Sequence, residues 1–235
     1  GVGADGDGSP VATDEFNLTR AVGELLSHSL VTRGPKGTIT IHRLIQAVTR
    51  HRLGDTPDHA AQARDLLAAA LPKRPLTVQT MDVWNRLRSH ALAVIDHLRT
   101  DAQTFDLRYD LAFLHADIGD LQAAIAQLKA LVDDMSPVLG PKDERVLRAR
   151  HGVAHWIDVY DTPQAQKLLV DLLEVQTRVL GADHPDTLTT RHDLAATYLK
   201  LNEYDRALQM FENLLPVRMR VLGPNHLYTL HTRRC

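Results

Sequence analysis

Val179–Tyr198 reads VLGADHPDTLTTRHDLAATY, and its opening VLG recurs at Val138 and Val221, so the three starts lie 41 and 42 residues apart. Self-similarity at a fixed period of this size marks a repeat architecture. The phase extends past the three letters. Leu147, Leu188 and Leu230 each stand eight residues after the motif leucine, and Arg150, Arg191 and Arg233 each stand eleven after it. Upstream, Leu111-Ala112, Val153-Ala154 and Leu194-Ala195 keep one phase in each first helix. Ala124, Ala165 and Ala207 keep one phase in each second helix, with Leu128, Leu169 and Phe211 four residues later. Small residues at fixed positions let two helices approach closely and interlock. The one-residue slip between Ile157 and Ala165 falls in a tight turn, where a deletion is absorbed. The second half of the chain is therefore predicted to be a stacked array of helical hairpins, an architecture suited to binding other proteins.

The turns carry their own logic. Gly140, Gly181 and Gly223 end the second helices, where a left-handed residue lets orphan carbonyls be satisfied. Asp183-His184-Pro185-Asp186 then opens the next helix, with Pro185 near its first position and carboxylates favoured by the helix dipole. The third motif opens a helix that reaches Cys235 without a partner. A unit of such an array does not cover its apolar face alone, so the expectation is a longer parent cut short at this end.

Forward of the repeats, residues 1–13 (GVGADGDGSPVAT) read as flexible linker. Asp5-Gly6-Asp7-Gly8 is no calcium loop, because the twelfth position counted from Asp5 is Phe16 and not Glu. Asp14 to about Ser27 has helical spacing, and the short alternating runs Ser29–Thr32 and Thr38–Ile41 flank Gly34-Pro35-Lys36-Gly37, a hairpin signal. A helix with Leu44, Ile45, Val48 and Leu53 on one side follows, ended by Gly54. Helix, small hairpin, helix is the outline of part of a winged helix over residues 14–55. Two further helices, Asp58–Leu71 and Thr80–Arg99, fill residues 56–104 as a helical bridge or a divergent repeat, and 105–235 is the array. The fold class expected is mainly α: a partial winged helix followed by a right-handed α–α superhelix.

Composition narrows the function classes. Aromatics are only 5%, so the core is built from Leu, Ala and Val, which without β-branched runs favours helix. The lone Cys235 excludes disulfides and Cys-based metal sites within the chain. No apolar run approaches the ~18–20 residues of a membrane span, and the N-terminus has no signal-peptide pattern, so the expected location is the cytoplasm. Catalysis has little to stand on: Ser27-His28-Ser29 has no oriented acid, and no strand–turn–helix elbow precedes a serine. His151 and His155 have the four-residue spacing of paired metal ligands, yet Gly152 stands where a zincin glutamate would be and no third ligand is evident. Net charge is −2, but Leu25–Gly54 holds Arg33, Lys36, Arg43, Arg50 and Arg52 with no acid. That excess is either a solvated face or, in a rival reading, a DNA-binding winged helix. Gln46 is the only side-chain amide in that helix, which argues against base readout.

Val179–Tyr198 followed by Tyr204-Asp205-Arg206-Ala207-Leu208 resembles the tetratricopeptide repeats of the long-period type found in kinesin light chains and many bacterial proteins, with Leu194, Ala195, Tyr198, Ala207 and Phe211 at signature positions. His115 and Ile157 occupy the Tyr198 slot of the earlier repeats. The resemblance implies a ligand groove lined by one face of each first helix: Tyr109 and Phe113, then Arg148, His151 and His155, then His192 and Lys200. Such a lining suits an extended peptide with acidic and apolar residues.

The front half, Ser29-Leu30-Val31 and Ile41-His42-Arg43-Leu44-Ile45-Gln46-Ala47-Val48, resembles the winged-helix segment of bacterial NB-ARC proteins, signal-transduction ATPases of the STAND class. In that family the segment lies between a nucleotide-binding core and a repeat sensor. The resemblance implies an upstream nucleotide-binding domain, ADP or ATP as cofactor of the parent protein, and His42 as a nucleotide-sensing residue, although Ile41 and Arg43 depart from the family's Met-His-Asp pattern. GxxxxGK[ST] is absent, and Gly34-Pro35-Lys36-Gly37-Thr38 does not replace it, so this chain by itself is not expected to be an enzyme. The function implied is that of a sensor that binds a protein or peptide. The alternatives are a free-standing adaptor or a DNA-binding regulator.

Overall fold

The computed structural model describes residues 31–34, 39–41, 57–72 and 78–234. The chain divides into two units, Gly1–Thr56 and Pro57–Cys235.

In the first unit, the β-branched runs on either side of Gly34 form strands β1 (Val31–Arg33) and β2 (Ile39–Ile41). They pair antiparallel with Val31 opposite Ile41, Thr32 opposite Thr40 and Arg33 opposite Ile39. The first strand runs one residue past the expected Thr32, and Ser29, Leu30 and Thr38 of the expected runs lie outside the described residues. The linker 1–13, the two expected flanking helices and His42 lie outside the described residues. Two three-residue strands do not make a winged helix, so that part of the expected fold class is not shown.

The second unit is helical throughout its described length. Helices α1 (Pro57–Ala70) and α2 (Val78–His97) precede a 3-10 turn at Ala102–Thr104. The array follows as α3 (Phe105–Asp117), α4 (Leu121–Leu139), α5 (Glu144–Ile157), α6 (Thr162–Val179), α7 (Pro185–Lys200), α8 (Tyr204–Val221) and α9 (Leu227–Arg234). Each helix packs on the one before it and the one after, as a solenoid requires. The stretch 56–104 shares its core with the first repeat: Leu67, Leu71, Trp84, Ala91 and Val94 form one cluster with Leu107, Leu111 and Leu114 of α3. Trp84 Nε1 donates to the carbonyl of Pro72 at 3.1 Å, which fixes the end of α1 against α2. Asp101 ties the junction by capping the 3-10 turn through Gln103 N (2.8 Å) and pairing with Arg64 (2.5 Å).

Repeating alanines set the helix spacing. Ala124, Ala165 and Ala207 are essentially inaccessible, as are Ala112, Ala154 and Ala195 on the facing first helices. The core therefore runs as a strip through successive hairpins instead of gathering at one centre. Gly140, Gly181 and Gly223 adopt φ of 95°, 100° and 96°, the left-handed ends that the repeated VLG implies.

The first helices of successive repeats are capped differently at one position. Asp143 accepts from Arg145 N at 2.9 Å, whereas His184 Nδ1 accepts from Asp186 N at 3.2 Å and His226 Nδ1 from Tyr228 N at 3.3 Å. A carboxylate accepts more strongly than an imidazole and also favours the positive helix end. His184→Asp is thus expected to raise stability by about 0.5–1 kcal/mol and His184→Ala to lower it by about 1 kcal/mol. Urea denaturation of the two variants checks both signs, and a loss with Asp would refute the capping role.

Candidate peptide groove

The first helices α3, α5 and α7 bring most of the expected groove residues onto neighbouring turns, because positions one repeat apart on them lie side by side. On α3, Phe105, Tyr109 and Phe113 recur every four residues, so their rings climb one face: centroids are 6.1 Å apart for the first pair and 4.7 Å for the second. Trp156 of α5 meets Phe113 edge-on at 5.6 Å, and His155 meets Trp156 at 4.8 Å. The Arg148 guanidinium lies 4.8 Å from the Tyr109 ring centre and 5.5 Å from that of Phe105. A delocalised cation over a ring face is attracted by the ring quadrupole. Arg148, Tyr109, Phe113, Trp156 and His155 thus form one continuous aromatic step spanning two repeats.

The charges of this face are largely matched internally. Arg148 pairs with Asp106 at 2.6 Å and Lys200 with Asp158 at 2.5 Å, each across 42 residues, one repeat. His151 Nε2 and His155 Nδ1 both donate to Asp193 Oδ2, at 3.0 and 3.1 Å. Burial alone would raise the Asp193 carboxyl, but the hydrogen bonds and charge of the two imidazoles outweigh it and hold it well below the usual carboxylate range. Reciprocally, the hydrogen bond to Asp193 raises His155 above its ordinary value. The clasp is fully formed above the unfolded Asp range and is lost as pH rises through the raised His155 value.

His192 is corrected by the structure. It is 5% exposed and lies beneath α9, its ring 5.3 Å from Phe211 and 4.8 Å from His231, with Nδ1 3.3 Å from Thr232 Oγ1. The helix expected to be unpaired covers it, so His192 belongs to the core of the last junction and not to an open groove. His115, in the slot that Tyr198 fills in the third repeat, is likewise buried, and burial together with the nearby Arg88 lowers its pKa.

Sequence reasoning passed over Trp156 and the carboxylates Asp106, Asp158 and Asp193. The signal was present: each carboxylate stands one repeat from a basic partner, Asp106 from Arg148, Asp158 from Lys200 and His151 from Asp193. Asp193 is also the third polar group beside the His151–His155 pair, although it binds both as a hydrogen-bond acceptor. A second convergence, Glu144, His184 and Asp186, brings three potential ligand atoms within 4.8 Å. There His184 Nδ1 is engaged by the helix cap, which leaves its proton on Nε2, facing Glu144 Oε1 at 3.7 Å. A metal ion at Nε2 would have to displace that proton, so the arrangement reads as a cap. The side chains of Arg33, Lys36, Arg43, Arg50 and Arg52, which prompted the DNA reading, lie outside the described residues. Among the described residues no helix is long and apolar enough to cross a membrane.

Comparison with known proteins agrees with the helical fold of the second unit. Residues 161–219 match the family described as tetratricopeptide repeat, and residues 3–57 match a domain of unknown function, DUF7779. No curated protein matches the chain. Among solved structures, the fold is similar to the nearly identical TPR-like repeats of a putative kinesin light chain from Podospora anserina, at 17% identity and a TM-score of 0.55, covering 88% of this chain and 90% of that one. It is also similar to BtubC (BKLC) from P. vanneervenii, at 15% identity and a TM-score of 0.52, covering 91% and 94%. The second unit thus has an α-solenoid fold similar to these structures, and residues 161–219 within it match the tetratricopeptide repeat family.

Proposed function

We propose that this array is a protein-interaction module whose first-helix face takes an extended peptide, and that it serves as the sensor region of a STAND-type signalling regulator. The observation that carries the binding reading is the aromatic step of Tyr109, Phe113, Trp156 and His155 with the Arg148 guanidinium laid over it. Aromatic side chains and arginine are the groups that most often anchor partners. The partly exposed rings of this step offer an apolar or aromatic ligand side chain a surface to pack on. An acidic ligand residue has one inexpensive place to bind, on Arg148, because its present partner Asp106 is 78% exposed. Lys200 and His155 are held by less exposed carboxylates and are poorer anchors.

Selection of linear peptides on the full chain tests this reading. Ligands rich in aromatic and apolar residues with one acid are expected, and Tyr109→Ala is expected to weaken them about tenfold, the loss typical of one interface anchor. Undiminished capture by a folded Tyr109→Ala variant, judged by circular dichroism, would reject the groove.

The regulator reading rests on the sequence order: the Ile41-His42-Arg43 segment, a helical stretch and then repeats. In the intact protein, a ligand that prefers the open arrangement over the closed one would release a nucleotide domain from an ADP-held state. A full-length parent that retains ADP equally well with His42→Ala would remove His42 from that role. A parent without GxxxxGK[ST] would leave a free-standing adaptor.

A further inference from the structure

The recurring arginine eleven residues after each motif leucine has no part in the groove. Arg150, the first of the three, lines a cleft of about 210 Å³ together with Lys129, Val132 and Asp133 of α4, Val153 of α5 and Leu168 of α6. The cleft lies between the two second helices, α4 and α6, with α5 as its floor, and its lining shares no residue with the aromatic step, although Val153 belongs to the core cluster on which Tyr109, Phe113 and Trp156 pack. Val153 is buried at the bottom, Arg150 is half-buried, and Lys129, Asp133 and Leu168 form an exposed rim. Lys129, Asp133 and Arg150 share this small space, yet among the described residues none of them has a hydrogen-bond or ion-pair partner. That contrasts with the groove, where Arg148, His151, His155 and Lys200 each bind a carboxylate.

The next junction does not repeat the arrangement. One period onward, Leu173 replaces Val132, Leu194 replaces Val153, Met210 replaces Leu168 and Val170 replaces Lys129. Two added methylenes narrow the walls and the second cation is lost, while Arg191 keeps the arginine position. The preceding junction, α2–α3–α4, has a comparable cleft of about 230 Å³ lined by Arg99 and Arg108, but both of those arginines bind Asp134. What distinguishes the α4–α5–α6 cleft is a pair of cations that no carboxylate holds.

We propose that this cleft binds the C-terminal residue of a polypeptide that ends in a branched aliphatic side chain. The volume falls below the ~300–1,000 Å³ of ordinary small-molecule sites and suits a single side chain. Val132, Val153 and Leu168 receive the aliphatic group. Arg150 and Lys129 take the terminal carboxylate, Arg150 offering the planar fork that matches it. Asp133 accepts the last backbone N–H, a donor that a free carboxylic acid lacks, and this selects a chain end over a small acid. The site is independent of the groove, so either assignment stands or falls without the other.

The test uses the full chain and a fluorescein-labelled hexapeptide ending in Gly-Ala-Leu with a free carboxylate, followed by anisotropy and by methyl NMR shifts at Val132, Val153 and Leu168. Saturable binding is expected, with those methyls moving. Amidation of the peptide, or Arg150→Gln, is expected to weaken binding at least tenfold. The double variant Lys129→Val, Arg150→Gln, which removes both cations and alters no residue of the aromatic step, is expected to abolish it while Tyr109-dependent groove binding persists. Three results would overturn the proposal: no saturable binding, equal affinity for the amide, or 4-methylpentanoate binding as tightly as the peptide.

Discussion

Arg218→Ala is expected to lower the stability of the C-terminal repeat by about 2–4 kcal/mol, the range for truncating a long buried side chain. Arg218 is 1% exposed on α8, and its guanidinium reaches both neighbouring first helices. One nitrogen donates to Leu188 O of α7 at 3.0 Å, and another to Tyr228 O (2.9 Å) and Thr232 Oγ1 (2.6 Å) of α9. Its guanidinium carbon also lies 5.7 Å from the Tyr228 ring centre. One side chain thus joins three consecutive helices, and α9 is short enough that few other contacts hold it. The helix carbonyls it bonds already serve as acceptors in their own helices, so most of the loss is the cavity and the released α9. Arg218→Met, which refills the volume, is therefore expected to recover more than half of the loss. Hydrogen exchange over residues 218–234, together with urea denaturation, distinguishes the outcomes. Unchanged protection of α9 in Arg218→Ala would show that the arginine does not hold the last junction.

How much of this was legible beforehand follows from what a repeat makes periodic. Helix–helix spacing is set by small residues at a fixed phase, so Ala124, Ala165 and Ala207 gave away the array, and the left-handed Gly140, Gly181 and Gly223 marked its turns. The expected groove positions such as Tyr109, Phe113 and His155 came from the resemblance to the repeat family, and what the structure adds is the ring contacts that link Tyr109 and Phe113 to Trp156 and His155. Partnership came from neither the phase nor the resemblance. Whether a basic residue is free or matched depends on its neighbour one repeat away, and Arg148 with Asp106 or Lys200 with Asp158 becomes visible only when both repeats are aligned for charge as well as for leucine. Arg218 was invisible for a different reason: an arginine on a second helix reads as a solvated charge, and only the arrival of α9 over it makes it a core residue. The same helix hid His192.

Acidification supplies the second large effect, through His192. Burial, reinforced by the charge of Arg218 and His231 and opposed by Asp193, lowers the His192 pKa to about 4 from 6.5. The unfolded chain therefore binds a proton between these values that the folded chain refuses, so stability rises with pH across that interval and falls as pH is lowered through it. A shift of this size corresponds to about 3 kcal/mol at its full extent, reached near pH 4. His155 acts with the opposite sign: its raised pKa adds stability in acid that is lost as the pH climbs above its folded value. The two are separated by substitution. His192→Phe keeps a ring against Phe211 but has no proton to refuse, so the stability difference between wild type and variant is expected to swing by about 3 kcal/mol between pH 7 and pH 4. Arg218→Met removes one cause of the shift and should reduce that swing, which ties the acid response to the arginine that anchors α9. Parallel pH profiles for wild type and His192→Phe would mean that the imidazole beneath α9 is no more reluctant to charge than one in water.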